Sequence, residues 1–238
     1  MPFTEIRRIT ALTDKETDAI VDLLVRAFED SAATKAMSGD NGQLSDLLFR
    51  SMVRAGGFAG HLYVLENESQ EIVSTALWFA PGTMLFSSHA IAAGGDTFQC
   101  YMTLWDSEEQ RELGFNEFMR KLDDKTREWW KNEISNSLCI KHTVLAAEFV
   151  KEWSPKSPTE CWWLSLFGTD PNHQKRGYGT LLLHDGLKKM SSPNLAAFCS
   201  TSEENAEFYT KAGFPIRGRT EFPSRFGNFP AFGHSREI

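Results

Sequence analysis

The residues best suited to chemistry in this chain form one loop, His173-Gln174-Lys175-Arg176-Gly177-Tyr178-Gly179-Thr180, which leads into the helical run Leu181-Leu182-Leu183. Gly177 and Gly179 carry no Cβ, so the backbone there can approach a ligand closely and aim successive N–H groups at it. The helix that follows adds the unsatisfied amides and partial positive charge of its N-terminus, a combination that suits a diphosphate. Lys175 and Arg176 put positive charge beside the same spot, and His173 adjoins it, where it could touch a phosphate. The loop is not a dinucleotide fingerprint, because the third glycine is missing and position 182 is Leu. No Gly-Lys-Ser or Gly-Lys-Thr follows to make a triphosphate loop.

A glycine pair alone also occurs in ordinary turns, so the surroundings decide. Leu166-Phe167-Gly168-Thr169-Asp170-Pro171 closes an apolar strand pattern just before the loop. About thirty residues downstream stands Asn205-Ala206-Glu207-Phe208-Tyr209-Thr210-Lys211-Ala212-Gly213-Phe214, a helix pattern with a tyrosine, then Gly-Phe opening a strand. Gln-x-x-Gly-x-Gly after strand and proline, followed by that second element, resembles the acyl-CoA site of the GNAT acetyltransferase superfamily. The resemblance covers residues 161–214; the earlier elements fit the family only in their order.

The resemblance implies an α/β GNAT fold, with a central mixed, mostly antiparallel sheet and helices on both faces. It implies acetyl-CoA as cosubstrate, with the 174–180 loop (Gln174, Lys175, Arg176, Gly177, Tyr178, Gly179 and Thr180) around the pyrophosphate. The backbone of Phe167, Gly168 and Thr169 would pair with the pantetheine arm as an added strand, which requires a splay from the strand at 195–199. Tyr209 would be the general acid for the departing thiolate, and Asn205, one helical turn earlier, would face the same ligand. Core packing for Tyr209 and a capping or exposed role for Asn205 are the plainer alternatives. The base is open. Some small-molecule acetyltransferases of the family carry a glutamate where Cys199 stands, and Glu160 and Asp170 flank the strand, either as bases or as solvated carboxylates. Cys199 reads as a small apolar strand residue in preference to a nucleophile.

These groups need a scaffold, and the pattern supplies one. A strand over residues 3–11 precedes a helix over 14–28 behind the cap Thr13, and a second helix is expected over 43–55, ended by Gly56-Gly57. Residues 61–66 and 71–79 read as a hairpin around Asn67-Glu68-Ser69-Gln70. Residues 83–158 read as an insertion into a single domain spanning 1–238, with a long helix from 107 to about 133. Its Phe115, Phe118, Met119, Leu122, Trp129 and Trp130 would either pack a core or line an acceptor pocket. Residues 154–158 read as an exposed connector. After it come strand 161–168, helix 177–190, strand 195–199, helix 203–212 and strand 214–221, an order that implies a parallel or mixed sheet with crossover helices. The last segment, 226–237, could pair within the sheet or with a second copy in a homodimer.

Bulk properties narrow the function classes. With 25 Lys and Arg against 32 Asp and Glu, net −7, the surface has no general attraction for nucleic acid or anionic lipid, and it favours cationic acceptors. There is no run of about 18 apolar residues to span a membrane and no apolar leader near the N-terminus. The four cysteines lie far apart and the histidines lack paired metal spacing, so no disulfide framework or metal is expected and a cytoplasmic setting fits. The expected reaction is acetyl transfer to a primary amine of a small molecule by direct attack in a ternary complex. A protein or peptide acceptor, and a CoA-binding sensor module without catalysis, are the alternatives.

Overall fold

The computed structural model describes residues 5–82, 86–91, 99–104, 107–130, 161–190 and 195–238. Seven strands form one sheet in the order β1-β2-β3-β6-β7-β9-β8. They are β1 (Glu5–Ile9), β2 (His61–Glu66), β3 (Ile72–Phe79), β6 (Trp162–Thr169), β7 (Leu195–Ser200), β8 (Ile216–Phe222) and β9 (Phe229–Glu237). A separate two-stranded sheet joins β4 (Phe86–Ile91) to β5 (Gln99–Leu104). Among the described residues of the main sheet only β6 and β7 pair in parallel, so the sheet is mixed and mostly antiparallel, as expected. The last segment enters it as β9 between β7 and β8 and pairs antiparallel with both.

Helix α1 (Asp14–Ala27) begins as expected at Thr13, whose Oγ1 accepts from the Glu16 N–H at 3.2 Å while the Glu16 carboxylate accepts from the Thr13 N–H at 3.0 Å. Its buried Ile20, Leu23 and Leu24 face the sheet. A short helix α2 (Ala32–Ser38), not foreseen from the sequence, follows under a Ser31 cap. Helix α3 (Gly42–Ala59) runs straight through Gly56 and Gly57, contrary to the expected stop. The reason is packing: a Cβ on Gly56 would lie 2.4 Å from Leu77 Cδ2, so the glycine lets the helix press on β3.

The long helix expected from residue 107 is broken. Helix α4 (Glu108–Gln110) continues as a π-helical stretch (Arg111–Phe115) into α5 (Asn116–Lys121), where Gly114 sits at φ 130°. The extended Leu122 and the cap Asp123 then separate α5 from α6 (Asp124–Trp129). Residues 131–133 of that expectation, the connector at 154–158 and Glu160 lie outside the described residues. Phe115, Phe118 and Trp130 are buried in the same core as α1, α3, β2 and β3, so these aromatics pack a core instead of lining a pocket. Helices α7 (Tyr178–Lys189) and α8 (Glu203–Lys211) cover the opposite face of the sheet, over Trp78, Trp162, Leu164 and Phe198.

Helix α6 also acts as a bridge. The Trp130 indole N–H donates to Met37 O at 2.7 Å, at the end of α2, and the Trp129 indole N–H donates to Pro223 O at 2.7 Å, in the β8–β9 turn. Arg225 of that turn donates to Asp123 Oδ2 and to Thr126 Oγ1, each at 2.9 Å. Gly39, at φ 70°, closes α2 against this junction: a Cβ there would sit 2.8 Å from Thr126 Oγ1 and 3.1 Å from Asp123 Oδ2. Gly39→Ala is therefore expected to lower unfolding free energy by about 1–2 kcal/mol from backbone strain, with a further loss as the junction opens. Urea denaturation of the purified variant checks it.

Candidate active site

The sheet divides where the chemistry was expected. β6 and β7 pair only at Trp162↔Ala196 and Trp163↔Ala197, and then diverge. The divergence begins beside a bulge: Leu77 pairs with Leu166 and Trp78 with Leu164, so Ser165 is an extra residue on β6. The bulge turns the strand over, because Leu164 packs with the α7 core whereas Leu166 packs with the α1 core. The Ser165 hydroxyl is buried there without a partner among the described residues. From Leu164 to Thr169 the β7-facing edge of β6 has no strand beside it among the described residues.

The open half leads into a cavity of about 360 Å³. Phe167, Gly168 and Thr169 line it from β6; Gln174, Lys175, Gly177, Tyr178, Gly179 and Thr180 line it from the loop and first turn of α7; Asn205 and Tyr209 line it from α8. These are the residues singled out from the sequence, except that Arg176 does not line the cavity. His173 does, with Ala27 and Phe28 at the end of α1 and Glu204 and Phe208 on α8, none of these last four anticipated. Glu204 and Phe208 lie four apart on the cavity face of α8, a spacing that could have revealed them; Ala27 and Phe28 carry no comparable signal.

Local physics shapes the wall. Gly177 is the N-cap of α7 at φ 84°, in the left-handed region that favours glycine, and no side chain caps the helix. The first-turn amides of α7 are thus left for a ligand. A Cβ on Gly179 would come 3.2 Å from Thr169 Oγ1 and 3.3 Å from the Phe167 ring, so its absence sets α7 close to β6. Gly168 does the same on the other face, where a Cβ would meet Leu24 at 3.0 Å and Phe28 at 3.5 Å. The Gln174 side chain donates to Thr169 O at 3.2 Å, holding the loop against the strand end.

Asp170 is neither a free base nor a solvated carboxylate. It is buried, its Oδ2 accepts from Arg26 Nε at 3.0 Å and Nη2 at 2.6 Å, and its Oδ1 accepts from the Asn172 N–H at 2.9 Å. Burial by itself would raise its carboxyl, but the hydrogen bonds from Arg26 and Asn172 outweigh it and hold the group below the usual range. Asp170 thereby ties α1 to the start of the loop. Cys199 stands on the cleft edge of β7; the surrounding protein pushes its thiol up, although the side chain is open to solvent. A thiol so disposed stays protonated at neutral pH and is a poor nucleophile.

Tyr209 is buried, and burial pushes its phenol well above the usual range, so it stays protonated and able to donate. Its ring packs on Phe198 at 4.3 Å, Phe208 at 5.0 Å and Phe167 at 6.0 Å. His234 of β9 lies beneath, fully buried, and burial lowers it below its ordinary 6.5.

The family model of the GNAT acetyltransferases matches residues 100–214. The chain belongs to the GNAT acetyltransferase family. It is an acetyltransferase of that family, and membership implies an acyl-CoA donor. Solved structures share the fold at low identity. One is described as histone acetyltransferase HPA2 and related acetyltransferase, from Corynebacterium glutamicum; its TM-score is 0.59 at 18% identity, over 100% of this chain and 97% of that one. Another is the polyamine N-acetyltransferase of Drosophila melanogaster, an enzyme that forms N-acetylagmatine, with TM-score 0.56 at 11% identity over 99% and 100% of the two chains. An agmatine N-acetyltransferase gives 0.57 at 11% identity over 99% of each chain.

The depressed value of His234 makes stability depend on pH in this GNAT chain. The fold favours the neutral ring, so its contribution is full above pH 6.5 and is lost as pH falls below that value. Asp170, held below its ordinary 3.8, loses its contribution only at more acid pH. The urea midpoint is expected to drop between about pH 7 and about pH 5, and to drop less in His234→Gln.

Proposed function

We propose that the protein transfers acetyl from acetyl-CoA to a primary amine of a small molecule, by direct attack with both substrates bound. The observation that carries this reading is the splay of β6 from β7 beside an uncapped helix terminus, with Tyr209 in the same cavity. The residues fit the donor. The free edge of β6 at Phe167, Gly168 and Thr169 offers backbone N–H and C=O groups to the amides of a pantetheine arm. The amides of Tyr178, Gly179 and Thr180, with Lys175 beside them, suit its diphosphate. Asn205 can hydrogen-bond the arm or the diphosphate from α8.

The bound donor supplies an activated thioester. Around it, backbone N–H groups of β6 polarise the carbonyl, and alignment of amine and carbonyl lowers the barrier further. Tyr209 gives its proton to the sulfur as the C–S bond breaks. An alkyl amine has a pKa of about 10 and must lose a proton before it attacks. No carboxylate stands where some relatives carry one, because that position is Cys199, so the proton leaves through water.

A small acceptor is favoured by the α6 bridge. Ser200 at the end of β7 pairs with Phe232, and β9 runs on from there to the β8–β9 turn, so that turn stands at the open end of the cleft. α6 ties it to α2, and on this reading the bridge narrows the approach for a long peptide. The two relatives that act on agmatine have small acceptors of the same class, and the net negative charge favours a cation.

Calorimetric titration with acetyl-CoA tests the donor site. A Cβ on Gly177 meets nothing within 4 Å, so Gly177→Glu adds strain at φ 84° and a negative charge facing the diphosphate with little effect on packing. Wild-type binding is expected to be lost in that variant. In an amine panel, Tyr209→Phe should retain donor affinity and lower kcat by about 100-fold. Absence of wild-type binding would overturn the reading; binding without turnover of any amine, peptide amines included, would favour a sensor module.

A further inference from the structure

We propose that His234 is a positioning residue for the reaction: it clips both ends of the helix that carries Tyr209 and so fixes the aim of that phenol. The inference rests on the reading of Tyr209 as the proton donor.

His234 is fully buried in β9, with Nδ1 3.0 Å from Phe214 O and Nε2 3.0 Å from Ser200 Oγ. A carbonyl only accepts, so Nδ1 carries the hydrogen and Nε2 takes the proton of the Ser200 hydroxyl. Ser200 is the last residue of β7, just before α8, and Phe214 follows α8 directly after the turn at Gly213. One imidazole therefore holds the chain as it enters α8 and again as it leaves.

The phenol depends on this clip, because its hydroxyl has no hydrogen-bond partner among the described residues. Its direction is set by ring packing alone. Tyr209 lies 4.3 Å from Phe198 and 5.5 Å from His234, and Phe198 is itself stacked on His234 at 5.0 Å and 21°. Moving the imidazole would shift the helix ends and both faces of the packing that aim Tyr209.

A double-mutant cycle separates this role from a merely structural one. Release of free CoA thiol is measured at saturating acetyl-CoA with the best amine of the panel, or with water as acceptor. His234→Gln is expected to lower kcat by about tenfold in the otherwise wild-type chain and less than about twofold in the Tyr209→Phe background, with KM for acetyl-CoA within about twofold throughout. Ser200→Ala, which removes one of the two bonds, should repeat the pattern at smaller size, and it decides the matter if His234→Gln does not fold. Equal fold-losses in both backgrounds, or no loss in either, would overturn the inference while leaving Tyr209 as the donor. A silent Tyr209→Phe would instead sink the proton-donor reading, and the inference with it.

Discussion

Backbone N–H and C=O groups inside a protein must be paired, and among the described residues this fold leaves a strand edge unpaired in its middle. Each such group costs about 1–3 kcal/mol when it is shut away from water without a partner. The neighbouring elements are arranged to keep the gap open. β7 is paired along its whole length with β9, and β6 along most of its length with β3, so neither strand is free to close on the other. The sheet behaves as two half-sheets, β1-β2-β3-β6 and β7-β9-β8, joined at two residue pairs. The bulge at Ser165 bends β6 away at the point of separation. Arg26 and Asp170 then anchor the far end of β6 to α1, so the strand end and the loop after it hold one position.

That framework fits the proposed acid, Tyr209, more readily than it fits a base. Desolvation keeps a phenol protonated, and Tyr209 sits among aromatic rings with no carboxylate or cation in those contacts. A base needs the opposite setting, a group whose charged or deprotonated form can be replenished. Asp170 is committed to Arg26, and Glu204 lies exposed on the cavity rim. On the proposed mechanism, such an arrangement suits an amine that arrives from water and sheds its proton there, with the protein's effort spent on alignment and on the leaving thiolate.

The site was legible in the sequence because its determinants are local: a glycine cap at a positive φ, amides at a helix start, and a tyrosine one turn beyond an asparagine. Eleven of the twelve residues that the resemblance assigns to the donor site and the general acid line one cavity, and the exception, Arg176, follows the left-handed Lys175 and leaves the wall there. Elements set by long-range contacts were not legible. Gly56 and Gly57 look like a helix stop until Leu77 is placed against them. The last segment reads equally as a sheet strand or an interface strand, because alternation does not name its neighbour. Asp170 looks solvated until α1 brings Arg26 to it from 144 residues away.

The aromatic stretch after residue 107 shows how such long-range placement alters the meaning of an insertion. An appended helix pair could be cut away with little harm to the body beneath it. Here Phe115, Phe118 and Trp130 lie in one core with Leu48, Phe49 and Val53 of α3, and each side chain of this size contributes about 1.5–3 kcal/mol by leaving water. The same stretch sends α6 across α2 and the β8–β9 turn, so the residues that complete the α3 core also tie those two elements together. Core packing and the bridge between α2 and the β8–β9 turn are thus set by one segment. A change that loosens the α6 bridge would disturb a core contact, so on the proposed reading of a small acceptor a broader acceptor range and a lower stability are coupled.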